Sequence, residues 1–93
     1  MFKTNEYFNG KVKSIALESY EGTATIGVMA AGEYEFGTST IEIMTVISGK
    51  LEVMLPGETE WKVFKKFESF FVPKDVRFKV KAKEDTPYLC LYK

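Results

Sequence analysis

Apolar and polar side chains alternate along most of this chain in short runs, and turn-forming residues separate the runs. The cleanest run covers residues 76–83. Val76, Phe78, Val80 and Ala82 point one way, and Arg77, Lys79, Lys81 and Lys83 the other. A period of two predicts a strand with one covered face and one wet face. Weaker versions of the pattern predict strands over residues 11–17, 23–29, 33–36, 51–55, 61–64 and 68–72, with Ala24, Ile26 and Val28 sharing a face of the second. Residues 41–47 differ. Ile41, Ile43, Thr45 and Ile47 share one face, Glu42, Met44 and Val46 the other, and both faces are largely apolar. Such a strand is expected to be covered on both sides, and residues 88–92 read the same way. Asn9-Gly10, Glu21-Gly22, Ala31-Gly32, Ser48-Gly49-Lys50, Pro56-Gly57 and Glu84-Asp85 mark turns. Residues 1–9 are polar and read as partly irregular, although Tyr7 and Phe8 need somewhere to pack. No stretch carries a helical period. Eight or nine short strands predict an all-β sandwich or barrel, and closing the sheet would remove its exposed edges.

Length and composition narrow this further. Ninety-three residues imply one domain, residues 1–93. A chain this small buries a limited share of its surface, so a homodimer is expected. The 45% apolar and 28% charged content suits a soluble globular protein. Thirteen basic and 13 acidic side chains cancel, which argues against general nucleic-acid binding. No apolar run approaches the roughly 20 residues of a membrane span, and Met-Phe-Lys-Thr-Asn-Glu at the start lacks the apolar core of a secretory signal. Cys90 is the one cysteine, so no intrachain disulfide can form and a cytoplasmic location is expected. Cys90 itself reads as buried and inert. Histidine is absent, which removes the usual general base, the usual metal ligand and every Ser-His or Cys-His arrangement.

The strongest local mark is Glu42 followed by Gly49 with six residues between. That spacing resembles the end of the first sequence motif of the cupins, small double-stranded β-helix or jelly-roll barrels. Residues 67–78 resemble the second cupin motif, with Pro73 in place. The cupin pattern places two histidines before the Glu and a third in the second motif. Here Phe36, Thr38 and Phe78 stand at those positions, and Asp75 stands for the usual Gly. The barrel pattern survives while the ligand set does not. One carboxylate is a poor transition-metal site, so neither metal nor other cofactor is expected.

A closer resemblance covers essentially the whole chain. Asn-Glu-Tyr-Phe at 5–8, Gly-Lys-Val-Lys-Ser at 10–14, Gly-Val-Met at 27–29, Gly-Glu-Tyr at 32–34, Met-Thr-Val-Ile-Ser-Gly at 44–49, Leu-Pro at 55–56, Val-Pro at 72–73 and Tyr-Leu-Cys at 88–90 are similar to the pyrimidine/purine nucleoside phosphorylase family of small bacterial cupins. The resemblance implies metal-free phosphorolysis of nucleosides with broad base tolerance, giving free base and α-D-pentose 1-phosphate. Nucleosides and inorganic phosphate would then be the partners. A metal-free barrel that binds a small ligand without turnover, or a structural dimerisation domain, are the competing readings.

For phosphorolysis, Glu42 is the expected catalytic residue. It would hold ribose hydroxyls or stabilise the cationic sugar as the glycosidic bond breaks. The competing reading is an outward Glu or a structural hydrogen-bond anchor. Thr38, Ser39 and Thr40 offer hydroxyls and backbone amides to phosphate, or form a plain polar loop. Lys11, Lys13 and Arg77 are candidate phosphate partners, or members of solvated strand faces. Phe36, Phe71, Phe78 and Tyr88 are candidate stacking surfaces for the base, or ordinary core residues. Tyr34 would hydrogen-bond a ligand or pin the loop.

Overall fold

Period-two alternation builds ten strands and no helix in the computed structural model, which describes residues 1–93. In chain order they are β1 (Lys3–Tyr7), β2 (Val12–Ser19), β3 (Gly22–Met29), β4 (Gly32–Gly37), β5 (Glu42–Val46), β6 (Lys50–Met54), β7 (Lys62–Lys65), β8 (Ser69–Val72), β9 (Arg77–Ala82) and β10 (Thr86–Tyr92). Nine lie where the alternation places them. The tenth, β1, falls in the segment read as partly irregular. Its residues are mostly exposed and it pairs only with β2, so no buried face marks it in the sequence.

The strands form two antiparallel sheets. One has the order β1-β2-β3-β10-β5-β8 and the other β4-β9-β6-β7. Antiparallel sheets packed face to face, with a core from alternate residues of each, are the jelly-roll form of the expected all-β fold. The sheets are not closed into one hydrogen-bonded ring, so β1, β8, β4 and β7 remain edges. Fourteen buried residues make one core cluster between them, including Val12, Met29, Val46, Leu51, Val53, Val72 and Val80. In β9 the expected faces hold: Phe78, Val80 and Ala82 are buried, and Arg77 and Lys79 are exposed.

Ser48-Gly49-Lys50 turns β5 into β6, and Gly49 takes a φ of 74° that an L side chain adopts only with strain. Asp75, at the position where the second cupin motif usually has Gly, also has a positive φ of 60°. Aspartate is one of the few residues that visits this region routinely. Thr38 ties the β4–β5 loop to the β8–β9 loop. Its Oγ1 donates to Pro73 O (2.7 Å) and accepts from Val76 N (3.1 Å), while its backbone N–H donates to Val76 O (2.9 Å).

Gly27 fixes how closely β2, β3 and β10 approach on the inner face. It stands between Ser14 and Tyr88 in register. A Cβ there would lie 2.7 Å from both the Lys13 carbonyl oxygen and the Tyr88 hydroxyl. Gly27→Ala is therefore expected to destabilise the fold by about 1–3 kcal/mol, the usual range for overpacking. A urea unfolding midpoint equal to that of the parent would show that the strands can part there without cost.

Candidate active site

Register on the six-stranded sheet determines which side chains meet inside. Tyr88 lies opposite Gly27 on one side and Val46 on the other. Cys90 lies opposite Thr25 and Met44, and Tyr92 opposite Glu42. Alternation on β10 therefore sends Tyr88, Cys90 and Tyr92 to the inner face, and alternation on β5 sends Glu42, Met44 and Val46 there. Across the gap, β4 and β9 pair Phe36 directly with Phe78. The two faces enclose a cavity of about 370 Å³, lined by Tyr7, Phe8, Ser14, Met29, Glu35, Phe36, Gly37, Ser39, Glu42, Met44, Phe78, Tyr88, Cys90 and Tyr92. Its volume is that of a small-molecule site, and its lining is mostly apolar with a few polar groups.

Glu42 is half-buried in this lining and no lysine or arginine pairs with it. Its Oε1 accepts a hydrogen bond from the Cys90 thiol at 3.5 Å. Burial raises its carboxyl above the usual carboxylate range, against a smaller opposing pull from that thiol. Glu35, at the exposed rim, has the opposite environment. The Arg77 guanidinium donates to it and holds its carboxyl below the usual range. One cavity thus holds two carboxylates whose proton affinities are pushed apart. That arrangement lets one group handle a proton or a developing charge while the other stays ionised.

The tyrosines and the thiol behave as neutral groups. Burial pushes the Tyr88 hydroxyl up to about 12, with Ser14 pulling it back slightly. Burial also raises Cys90, with the Glu42 charge as the second cause, and raises Tyr92, whose hydroxyl shares a 3.0 Å hydrogen bond with Thr25. At neutral pH these groups are donors and not nucleophiles.

The residues singled out from the sequence divide into four sets. Glu42, Phe36, Ser39, Phe78 and Tyr88 line the cavity. Tyr34 and Thr38 lie just behind it. Tyr34 is buried and donates to Ala30 O at 2.6 Å, with its ring 6.1 Å from that of Phe36. Thr38 is the loop clamp described above, and the hydroxyl of its neighbour Thr40 is buried without a partner. Phe71, Lys11 and Lys13 lie elsewhere. Phe71 is 55% exposed on the outer face of β8, Lys13 pairs with Glu6 on the outer side of β2, and Lys11 is exposed in the turn ahead of β2. Arg77 is exposed beside the rim through its contact with Glu35. Sequence reasoning missed Tyr7, Phe8, Ser14, Glu35, Cys90 and Tyr92 as cavity residues. A usable signal existed for two of them: Cys90 and Tyr92 follow Tyr88 at two-residue spacing on one strand.

The residues at the cupin ligand positions do not make a metal site. No group of three or more His, Cys, Asp or Glu converges anywhere in the molecule. A phenyl pair and a clamped threonine offer no ligating set there, so no chemistry is routed through a metal.

Comparison with known proteins adds three findings. A family model described as pyrimidine/purine nucleoside phosphorylase matches residues 2–92. Curated proteins of that name from Pseudomonas syringae pv. syringae (strain B728a) and Pseudomonas paraeruginosa (strain DSM 24068 / PA7) are 59% and 58% identical over 93 residues, 100% of each chain. Among solved structures, a Vibrio parahaemolyticus protein of unknown function superposes with a TM-score of 0.92 at 41% identity, over 97% of this chain and 96% of that one. An RmlC-like cupin from Shewanella frigidimarina NCIMB 400 superposes with a TM-score of 0.74 at 22% identity, over 96% and 80% of the two chains, which speaks to the fold.

The cavity's electrostatics make one measurable statement. The Cys90 thiol favours the ionised form of Glu42 while burial disfavours it more. Cys90→Ala should therefore move the Glu42 titration further up, and Cys90→Ser should hold it near the parent position. Carboxyl carbon NMR against pH reads both. Because the folded value lies above the unfolded one, Glu42's contribution to stability is full below the ordinary carboxylate range and is lost as pH rises through the folded value. A downward move in Cys90→Ala would overturn this account.

Proposed function

We propose how this site works from one premise: the chain belongs to the pyrimidine/purine nucleoside phosphorylase family. Its reaction is the phosphorolysis of purine and pyrimidine nucleosides. A phosphate oxygen bonds to C1′ of the pentose, the C1′–N bond to the base breaks with its electron pair leaving on the base nitrogen, and a proton from phosphate or solvent completes the free base. The products are base and α-pentose 1-phosphate. We read residues 1–93 as one catalytic cupin unit acting in the cytoplasm. No helix is long and apolar enough to cross a membrane, and Cys90 is free.

The observation that carries the mechanism is Glu42, a half-buried carboxylate without a cationic partner, facing a cavity walled by aromatic rings. As the C1′–N bond lengthens, positive charge develops on the sugar. A fixed negative charge in a poorly solvated site stabilises that charge more in the transition state than in the ground state. The thiol at 3.5 Å orients Glu42 without neutralising it. Phe36, Phe78 and Tyr88 provide the apolar walls, and Ser39 offers a hydroxyl at the rim. For phosphate, the geometry favours Arg77 over Lys11 and Lys13. Its guanidinium stands beside the cavity on Glu35, and an arriving phosphate can share or replace that carboxylate.

The reading also includes a homodimer. The outer face of the six-stranded sheet carries two cross-strand rows without a charged side chain, Ile15–Ile26–Leu89–Thr45–Ser69 and Leu17–Ala24–Leu91–Ile43–Phe71. Ile26 is 54% exposed in the middle of them. An apolar sheet face of this width on so small a chain suits a self-complementary two-fold contact. Light scattering at micromolar concentration should give twice the chain mass for the parent, and Ile26→Glu should give the single-chain mass with an unchanged circular dichroism spectrum. A parent that runs as a monomer would remove the dimer from the proposal.

Catalysis is tested at Glu42. Glu42→Gln keeps the shape and removes the charge, so phosphorolysis of uridine and adenosine should fall by about two to three orders of magnitude with the fold intact. Turnover is read as base released only when phosphate is present, beside thermal melting. A folded Glu42→Gln protein with parent-like turnover would move the chemistry to another residue. A parent that binds nucleoside but never releases base would favour a non-catalytic ligand-binding barrel.

A further inference from the structure

The turn between β1 and β2 holds three consecutive residues in the left-handed region: Phe8 at φ 54°, Asn9 at 57° and Gly10 at 84°. Glycine and asparagine adopt that region readily, whereas a bulky aromatic residue there is a strained outlier. Strain of this kind persists only where surrounding structure enforces it, and it collects at ligand sites. Here two backbone hydrogen bonds enforce it, Gly10 N–H to Tyr7 O (3.1 Å) and Lys11 N–H to Phe8 O (3.2 Å).

With this backbone the Phe8 ring reaches the cavity. Its centroid lies 5.0 Å from that of Tyr34 and 5.5 Å from that of Phe36, and it meets Phe36 edge to face at 90°. Phe8 is nevertheless no core residue. It is 42% exposed, stands outside the buried cluster, and lines the cavity at its open end. A ring placed only for packing would gain more from burial than from this position. The strand that leads into it, β1, is an edge strand that pairs with β2 alone.

We propose that Phe8 is the platform on which the nucleobase stacks, a role that rests on the phosphorylase reading for the identity of the ligand. Every base offers a π-face, so one phenyl platform accepts purines and pyrimidines alike. Phe36, perpendicular to it, closes the corner behind the base. Phe8 therefore acts in binding the base and not in breaking its bond, and its effect belongs in nucleoside affinity.

Phe8→Leu, which keeps the apolar bulk and removes the ring, and Phe8→Trp, which enlarges it, test the assignment. Two readouts are taken: steady-state kinetics with uridine, adenosine and phosphate, and calorimetric binding of each nucleoside without phosphate. Phe8→Leu is expected to raise KM and Kd for both nucleosides about tenfold. Its KM for phosphate should stay within about twofold and its kcat within about threefold, and Phe8→Trp should restore nucleoside affinity. Parent-like nucleoside binding in Phe8→Leu overturns the proposal, as does an equal rise in KM for phosphate, or a parent that binds neither nucleoside. Weakened nucleoside binding in Phe8→Leu, with no phosphate-dependent release of base by the parent, would instead support the platform and overturn the phosphorylase reading.

Discussion

The site depends on keeping a carboxylate partly out of water without giving it a counter-ion. An ionised group in that position is costly unless it is hydrogen-bonded or used. The structure meets the cost in a limited way. Glu42 keeps access to the cavity, and its one side-chain donor is the weak Cys90 thiol. A lysine in place of that thiol would hold the carboxylate more firmly, but it would also cancel the field on which the proposed mechanism relies. On the proposed mechanism, the modest donor suits a charge whose partner arrives only with the substrate.

The same scaffold explains how a cupin-like barrel can work with different chemistry in its centre. Phe36 and Phe78, which stand where the two cupin motifs usually carry ligands, are direct cross-strand partners on β4 and β9. Their rings lie 5.7 Å apart, and Phe78 continues the contact to Phe70. The geometry that would bring two ligands to one metal here brings two rings into one wall, with Glu42 facing them from the other sheet. The fold is retained while these positions carry rings, which is why the fold is readily recognised and the reacting groups are not.

Much of the architecture was legible because one buried face leaves a period of two in the sequence. Residues 76–83 are the clearest case. In residues 41–47 both faces are largely apolar, so alternation left Glu42 inward or outward, and the cavity lining shows that it faces in. Other features left no such trace. Ile26 and Val28 alternate properly, yet they point outward, because the inner positions of β3 are Thr25, Gly27 and Met29. Apolar character alone cannot distinguish a core face from an interaction face. Phe71 and Lys13 were candidate site residues, but strand register carries them to the outside. β1 has no buried face to announce it. Phe8 reaches the cavity through a turn conformation, and Glu35 lines it although alternation on β4 sets it apart from Tyr34 and Phe36, so neither is encoded in local spacing.

The order of strands has a consequence for how the protein comes into being. β10 follows the other nine strands in the chain, yet it lies in the middle of the larger sheet, with β3 on one side and β5 on the other. Until it is available, the β1-β2-β3 meander and the β5-β8 pair have no hydrogen bonds to join them. β10 is made after every other strand, so a growing chain carries both halves of the sheet before it has the strand that unites them. Cys90 and Tyr92 arrive with that strand, and the cavity forms in the same event that joins the two parts of the larger sheet. Long-range pairing of this kind is slow to form and leaves strand edges open while it waits. A chain still waiting for β10 to pair would therefore be prone to self-association, and the cavity is complete only once that strand is in place.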